Sequence, residues 1–202
     1  MLLIDNPYLL LEIDDIKCKI RFNFDMFYRI YTVLEDKAMC KMFNLKKEYT
    51  PLDILEEFNK DTLLLIMCVS SNEMLKGYEI LKEYINENSE IILKSIYKDI
   101  CAQYINDIYY IEPDAEENKS SNKENTFKEW FNYYYAAAMD ILKMSKSDFL
   151  ESNPAQIRER IYRKKIIEIN KAIEIYNKTH NFGTEENKVV EVENLYDFAA
   201  KI

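Results

Sequence analysis

Ile16, Cys18, Ile20 and Phe22 alternate with Lys17, Lys19 and Arg21, a period of two that turns one face of a strand to a core and the other to water. The apolar run 9–13 offers a partner strand, and Asp14 with Asp15 between them fits a tight reversal, although neither is the glycine such turns prefer. A β-hairpin is the expected opening element. After it the period lengthens. Phe27, Ile30, Tyr31 and Leu34 recur at helix spacing behind Asn23 or Asp25, Thr50-Pro51 with Asp53 marks a second helix start, and Asp61-Thr62 marks a third. That third segment is apolar nearly all round over 63–69, the mark of a helix on which other elements pack. Met74, Tyr78, Leu81 and Ile85 form another helical stripe, and Ser89 caps a longer helix bearing Leu93, Ile96, Tyr97, Ile100, Tyr104 and Ile108.

The pattern stops at residues 112–125, where Ala115 is the lone apolar residue among Pro, Asp, Glu, Asn, Lys and Ser. Such a stretch cannot bury enough surface to order itself, so it is expected to be a flexible charged linker with a reach of about 20 Å. Residues 1–111 would then form the first domain, a hairpin with a helical bundle. Residues 126–183 would form a smaller helical domain. Its helix starts are clearly punctuated: Thr126 with Glu129 and Ser145 with Asp148 have capping-box spacing, and Asn153 with Gln156 repeats it around Pro154 at a first helical position. Between the caps lie Trp130, Phe131 and the run Tyr133, Tyr134, Tyr135, more aromatic surface than one core face needs. Residues 184–202 read as an acidic tail with a short amphipathic end. The expected fold is mainly α with one small hairpin.

Composition removes several function classes. The chain has 202 residues, enough for one or two domains, and its glycines are Gly77 and Gly183 alone, so no glycine-rich phosphate cradle can be built. The single histidine, His180, stands before Asn181-Phe182-Gly183, where a helix end is expected and a cation suits the macrodipole; it excludes paired-histidine zinc sites. Cys18, Cys40, Cys68 and Cys101 lack CxxC spacing, sit among apolar neighbours, and read as buried thiols of a cytosolic protein, since residues 1–5 carry no basic leader. The longest apolar run, 63–69, is too short to span a bilayer. No metal, cofactor or small-molecule substrate is expected. The paired acids Asp14-Asp15, Glu56-Glu57 and Glu116-Glu117 read as a turn, a surface pair and part of the linker, so no enzyme is expected either.

A net charge of −9 argues against sequence-independent nucleic-acid binding by the whole molecule. Residues 154–178 differ, with seven basic residues against three acidic ones. Arg160, Lys164, Glu168 and Lys171 fall on one side of that helix, as a solvated face does. The alternative functional reading is a helical regulatory protein that reads DNA with this helix, braced by the preceding one as in a helix-turn-helix.

The order of parts carries a resemblance. The strand of 16–24 running into the helix of Phe27 to Leu34, the charged linker, the aromatic helix with Trp130, Phe131 and Tyr133 to Tyr135, the turn with Leu142, Met144 and Ser145, the pair Phe149 and Leu150, and the start at Pro154 and Ile157 together resemble the tail assembly chaperones of long-tailed bacteriophages, in the long form with a C-terminal extension. Lys143 stands where that family commonly has glycine, and Asn153 where it has threonine. The resemblance implies a non-enzymatic protein of the bacterial cytoplasm, absent from the finished virion. It would hold the helical tape-measure protein soluble and help recruit tail-tube subunits, with possible self-association through its N-terminal module. In this reading Trp130, Tyr134 and Phe149 are the apolar anchors for the partner, with Arg158 and Arg160 as rim charges. The competing assignment for the three rings is a small core inside their own domain.

Overall fold

The computed structural model describes residues 8–46, 49–71, 73–108 and 127–180, with side chains through residue 176. The proposed linker, Thr126, the tail beyond His180 and the side chain of His180 lie outside the described residues.

The hairpin forms as the alternation predicts: β1 (Leu9–Ile13) pairs antiparallel with β2 (Ile16–Ile20), Leu9 opposite Ile20 and Ile13 opposite Ile16. Asp14 makes the reversal by taking a left-handed φ of 52°, a conformation Asp tolerates better than most side chains. Cys18 and Ile20 are fully buried, while Leu10, Glu12, Lys17 and Lys19 face water. Asn23 then caps α1 (Phe24–Glu35), its side chain accepting from the Met26 N–H at 2.9 Å, and Phe27, Ile30 and Val33 enter the core. A short α2 (Lys37–Met42), which the apolar pattern does not reveal, starts at Asp36, whose carboxylate accepts from the amides of Ala38 and Met39.

No helix begins at Thr50-Pro51. Residues 51–57 form successive turns, closed by Asp53 N–H to Thr50 and Glu56 N–H to Asp53. Tyr104 and Tyr97 donate their hydroxyls to the carbonyls of Leu52 (3.0 Å) and Leu55 (2.8 Å), so both oxygens have partners outside any helical ladder. The all-round apolar segment is indeed central. In α3 (Lys60–Ser70) the residues 62–69 are all buried, and α4 (Met74–Glu87) packs its stripe of Tyr78, Leu81 and Ile85 inward. In α5 (Glu90–Ile108) Leu93, Ile100 and Ile108 complete that core.

The aromatic segment forms α6 (Phe127–Ala136), which widens into one π-helical turn (Ala137–Ile141). Lys143 ends it in the left-handed region at φ 55°, the geometry that glycine would supply without steric cost. Ser145 and Asp148 form the reciprocal capping box of α7 (Lys146–Glu151). Asn153 and Gln156 form the amide version at the start of α8 (Pro154–His180), with side chain to amide distances of 2.8 and 3.1 Å.

The chain divides into two compact units, and the division falls after Arg158 rather than within 112–125. Helices α6 and α7 and the first turn of α8 thus belong with the hairpin and α1 to α5 in the first unit. The reason lies in what the aromatic rings touch. Phe24, on the first turn of α1, has Trp130, Phe131, Tyr134 and Phe149 around it at ring separations of 4.3 to 5.7 Å. The second unit, from Glu159, holds the remainder of α8. Among the described residues no helix is long and apolar enough to cross a membrane.

Candidate partner-binding site

Of the three expected anchors, two are covered by the first unit itself. Phe149 is fully buried and stacks on Phe24 at 4.3 Å, and Tyr134 retains 4% of its surface. Trp130 is half-buried between Phe24 (5.6 Å) and Phe27 (5.3 Å). These rings build a core that joins α6 and α7 to α1, a larger intramolecular role than the two-helix core weighed from sequence. Mixed tilted and edge-on contacts of this kind add to the gain from area burial. Around this seam, the aromatic residues left to solvent include Tyr133, Tyr28 and, less so, Tyr135.

Backbone and side-chain polar groups lock the same seam. The Phe24 N–H donates to the Ser152 carbonyl at 3.0 Å, and Arg21 Nη2 donates to Gln156 Oε1 at 3.1 Å. At the centre is Asp107, 4% exposed. Its carboxylate accepts from the Phe22 N–H (2.8 Å), Gln103 Nε2 (2.9 Å) and Asn153 Nδ2 (2.6 Å). Burial pushes Asp107 above the usual carboxylate range, opposed by these three donors and by nearby Arg21, each of which favours the anion. One buried acid therefore ties the end of β2, the end of α5 and the cap of α8 together. Gln103 is a one-turn neighbour, but no spacing rule flags the other two partners, which lie 85 and 46 residues away.

Arg158 also turns inward. Its guanidinium lies 5.9 Å from the Tyr134 ring centre, within cation–π range, and its Nε and Nη2 are buried without hydrogen-bond acceptors among the described residues. Burial raises the Tyr134 hydroxyl above its ordinary value, and the Arg158 charge partly offsets this. Of the two expected rim charges, only Arg160 is exposed. The thiols divide as well: Cys18 and Cys68 are buried, their pKa values pushed up by desolvation to about 11 and about 12, whereas Cys40 and Cys101 are half-buried. Among the described residues no group of three His, Cys, Asp or Glu side chains is placed to hold a metal ion.

The second unit carries a feature the sequence reading overlooked. Tyr162, Ile166, Ile169, Ile173 and Tyr176 follow one another at intervals of four, three, four and three, the 3.5-residue repeat of a coiled-coil seam. Ile166 is 37% exposed and Tyr176 52%, while Ile169 and Ile173 are half-buried. The run of basic residues drew attention to the polar side of α8, and the repeat on its other side was the signal that would have found this surface. Comparisons with protein-family models, curated proteins and solved structures return no match to the chain.

Proposed function

We propose that the chain is a non-enzymatic adaptor that holds a helical partner protein along α8. The single observation that carries this reading is the 3.5-residue apolar stripe of the second unit, whose isoleucines include Ile166 at 37% exposure. A stripe of this period buries best against a second helix, by knobs-into-holes packing. The resemblance in the order of elements supplies the biological setting: a phage tail assembly chaperone, working in the bacterial cytoplasm and absent from the finished virion, with the tape-measure protein as the helical partner and tail-tube subunits recruited afterwards. Within that setting the anchors move from Trp130, Tyr134 and Phe149 to Ile166, Ile169 and Ile173, because the first three are engaged by Phe24 and its neighbours.

Co-expression with a tape-measure protein tests the proposal. The partner should stay in the soluble fraction with the intact chain and precipitate with the Ile166→Asp variant. A partner that is equally soluble without this chain overturns it. The DNA-reading alternative draws no support from the first turn of α8, where Pro154 and Ile157 are buried; base readout uses the exposed N-terminal residues of a recognition helix.

A further inference from the structure

We infer that the outer edge of β1 receives β1 of a second copy of this chain, so that two hairpins join into one four-stranded antiparallel sheet. The inference is independent of α8. The two edges of the hairpin differ. Beyond β2, Cys18 bridges Ser71, and the strand carries Lys17 and Lys19. Beyond β1, no strand pairs among the described residues. β1 reads Leu9-Leu10-Leu11-Glu12-Ile13, with no lysine, proline, glycine or bulge to discourage pairing, and Leu10 is 43% exposed. Its one charge, Glu12, is already held by Lys17 of the same hairpin at 3.0 Å.

The ladder geometry fixes how a second copy fits. The two-residue reversal makes Ile13 and Ile16 a hydrogen-bonded pair, so by alternation the N–H and C=O groups of Leu10 and Glu12 point away from β2. A two-fold axis at Leu11 then sets Leu10 opposite Glu12 of the second copy and closes four main-chain hydrogen bonds. On the core-facing side Leu11 meets its own counterpart and Leu9 meets Ile13, so the half-buried Leu9 and Leu11 gain apolar neighbours. All five residues of β1 are paired, and no like charges stand opposite one another. The neighbouring registers of the same bonding parity are poorer. An axis at Glu12 opposes two carboxylates, and an axis at Leu10 pairs only Leu9 to Leu11 within the strand.

Sedimentation equilibrium of the full chain should show a reversible dimer. Leu10→Pro removes an outward N–H that the hairpin's own ladder does not use, and by symmetry half of the bonds between copies. It should weaken the dimer about tenfold or more while circular dichroism stays unchanged. Cysteine pairing tests the register without proline. Leu10→Cys and Glu12→Cys chains, mixed and oxidised with oxidised glutathione, should give a disulfide-linked heterodimer, whereas each variant alone should link no more than the parent. A chain that stays monomeric to about 1 mM overturns the inference. So does a dimer in which the mixed cysteines stay unlinked, or in which Leu10→Cys alone links as readily as the mixture.

Discussion

Helix α6 and the outer length of α8 are both rich in large apolar side chains, yet they use them oppositely. Along α6, Phe127 and Tyr134 are buried and Trp130 is half-buried, all against the N-terminal module; along α8, Ile166, Ile167 and Tyr176 keep a third or more of their surface. The aromatic helix is the more conspicuous in sequence and the less available in space. For α6 the receiving surface is plain. Phe24 and Phe27 stand ready for α6, and no spacing argument within α6 could reveal this because the pairing spans about a hundred residues. Surplus aromatic content thus serves an internal seam in α6, and it is repeat period combined with exposure that carries the proposal for α8.

The comparison can be broken by substitution. Phe149→Ala should have the largest effect: removal of a fully buried ring stacked on Phe24 should destabilise the first unit by about 3–5 kcal/mol in urea unfolding. A loss under about 1 kcal/mol would return the ring to the role of partner anchor. Trp130→Ala should likewise lower the melting temperature.

Asp107→Ala comes next. It strands the Phe22 amide and the Asn153 side chain in a buried setting, and about 2–3 kcal/mol is expected. Its titration carries a definite sign. The folded-state pKa is raised, so the folded protein binds the proton more tightly than the unfolded chain. The contribution of Asp107 to stability is greatest below its ordinary value and is lost as pH rises through the raised one. Stability curves of the parent and of Asp107→Asn, measured across that interval, should differ in slope, the Asn variant lacking the decline. Parallel curves would sink the assignment.

Lys143→Gly should stabilise by about 1 kcal/mol, because a left-handed residue at φ 55° is relieved of its Cβ. The smallest effect belongs to the outer helix. Ile166→Asp should change stability by less than about 1 kcal/mol while abolishing partner retention, and this dissociation of stability from binding is what sharpens the contrast with Phe149.

Much of the fold was legible where the determinants are local. The hairpin followed from alternation at Ile16, Cys18 and Ile20; the helix starts at Asn23, Ser145 and Asn153 followed from side chains that reach the amide three residues on. Reading failed where a distant residue decides. The turns after Pro51 are held by Tyr97 and Tyr104, more than forty residues ahead, and α6 is drawn onto Phe24 across a charged segment that looked like a domain boundary. The expected anchors show the same limit: burial of Tyr134 and Phe149 is a tertiary fact that spacing does not reveal, whereas the repeat of Ile166, Ile169 and Ile173 is written in local spacing.

The bonds from Asp107 to Asn153 and from Phe24 to Ser152 impose an order on synthesis. As the nascent chain leaves the ribosome, the hairpin and first five helices emerge with an uncovered ring at Phe24, which waits for α6 and α7, and an acid lacking one of its donors, which waits for the cap of α8. A translation product that stopped short of residue 127 would keep that greasy socket open for good, and would therefore be a sticky molecule with binding habits unlike those of the full-length chain.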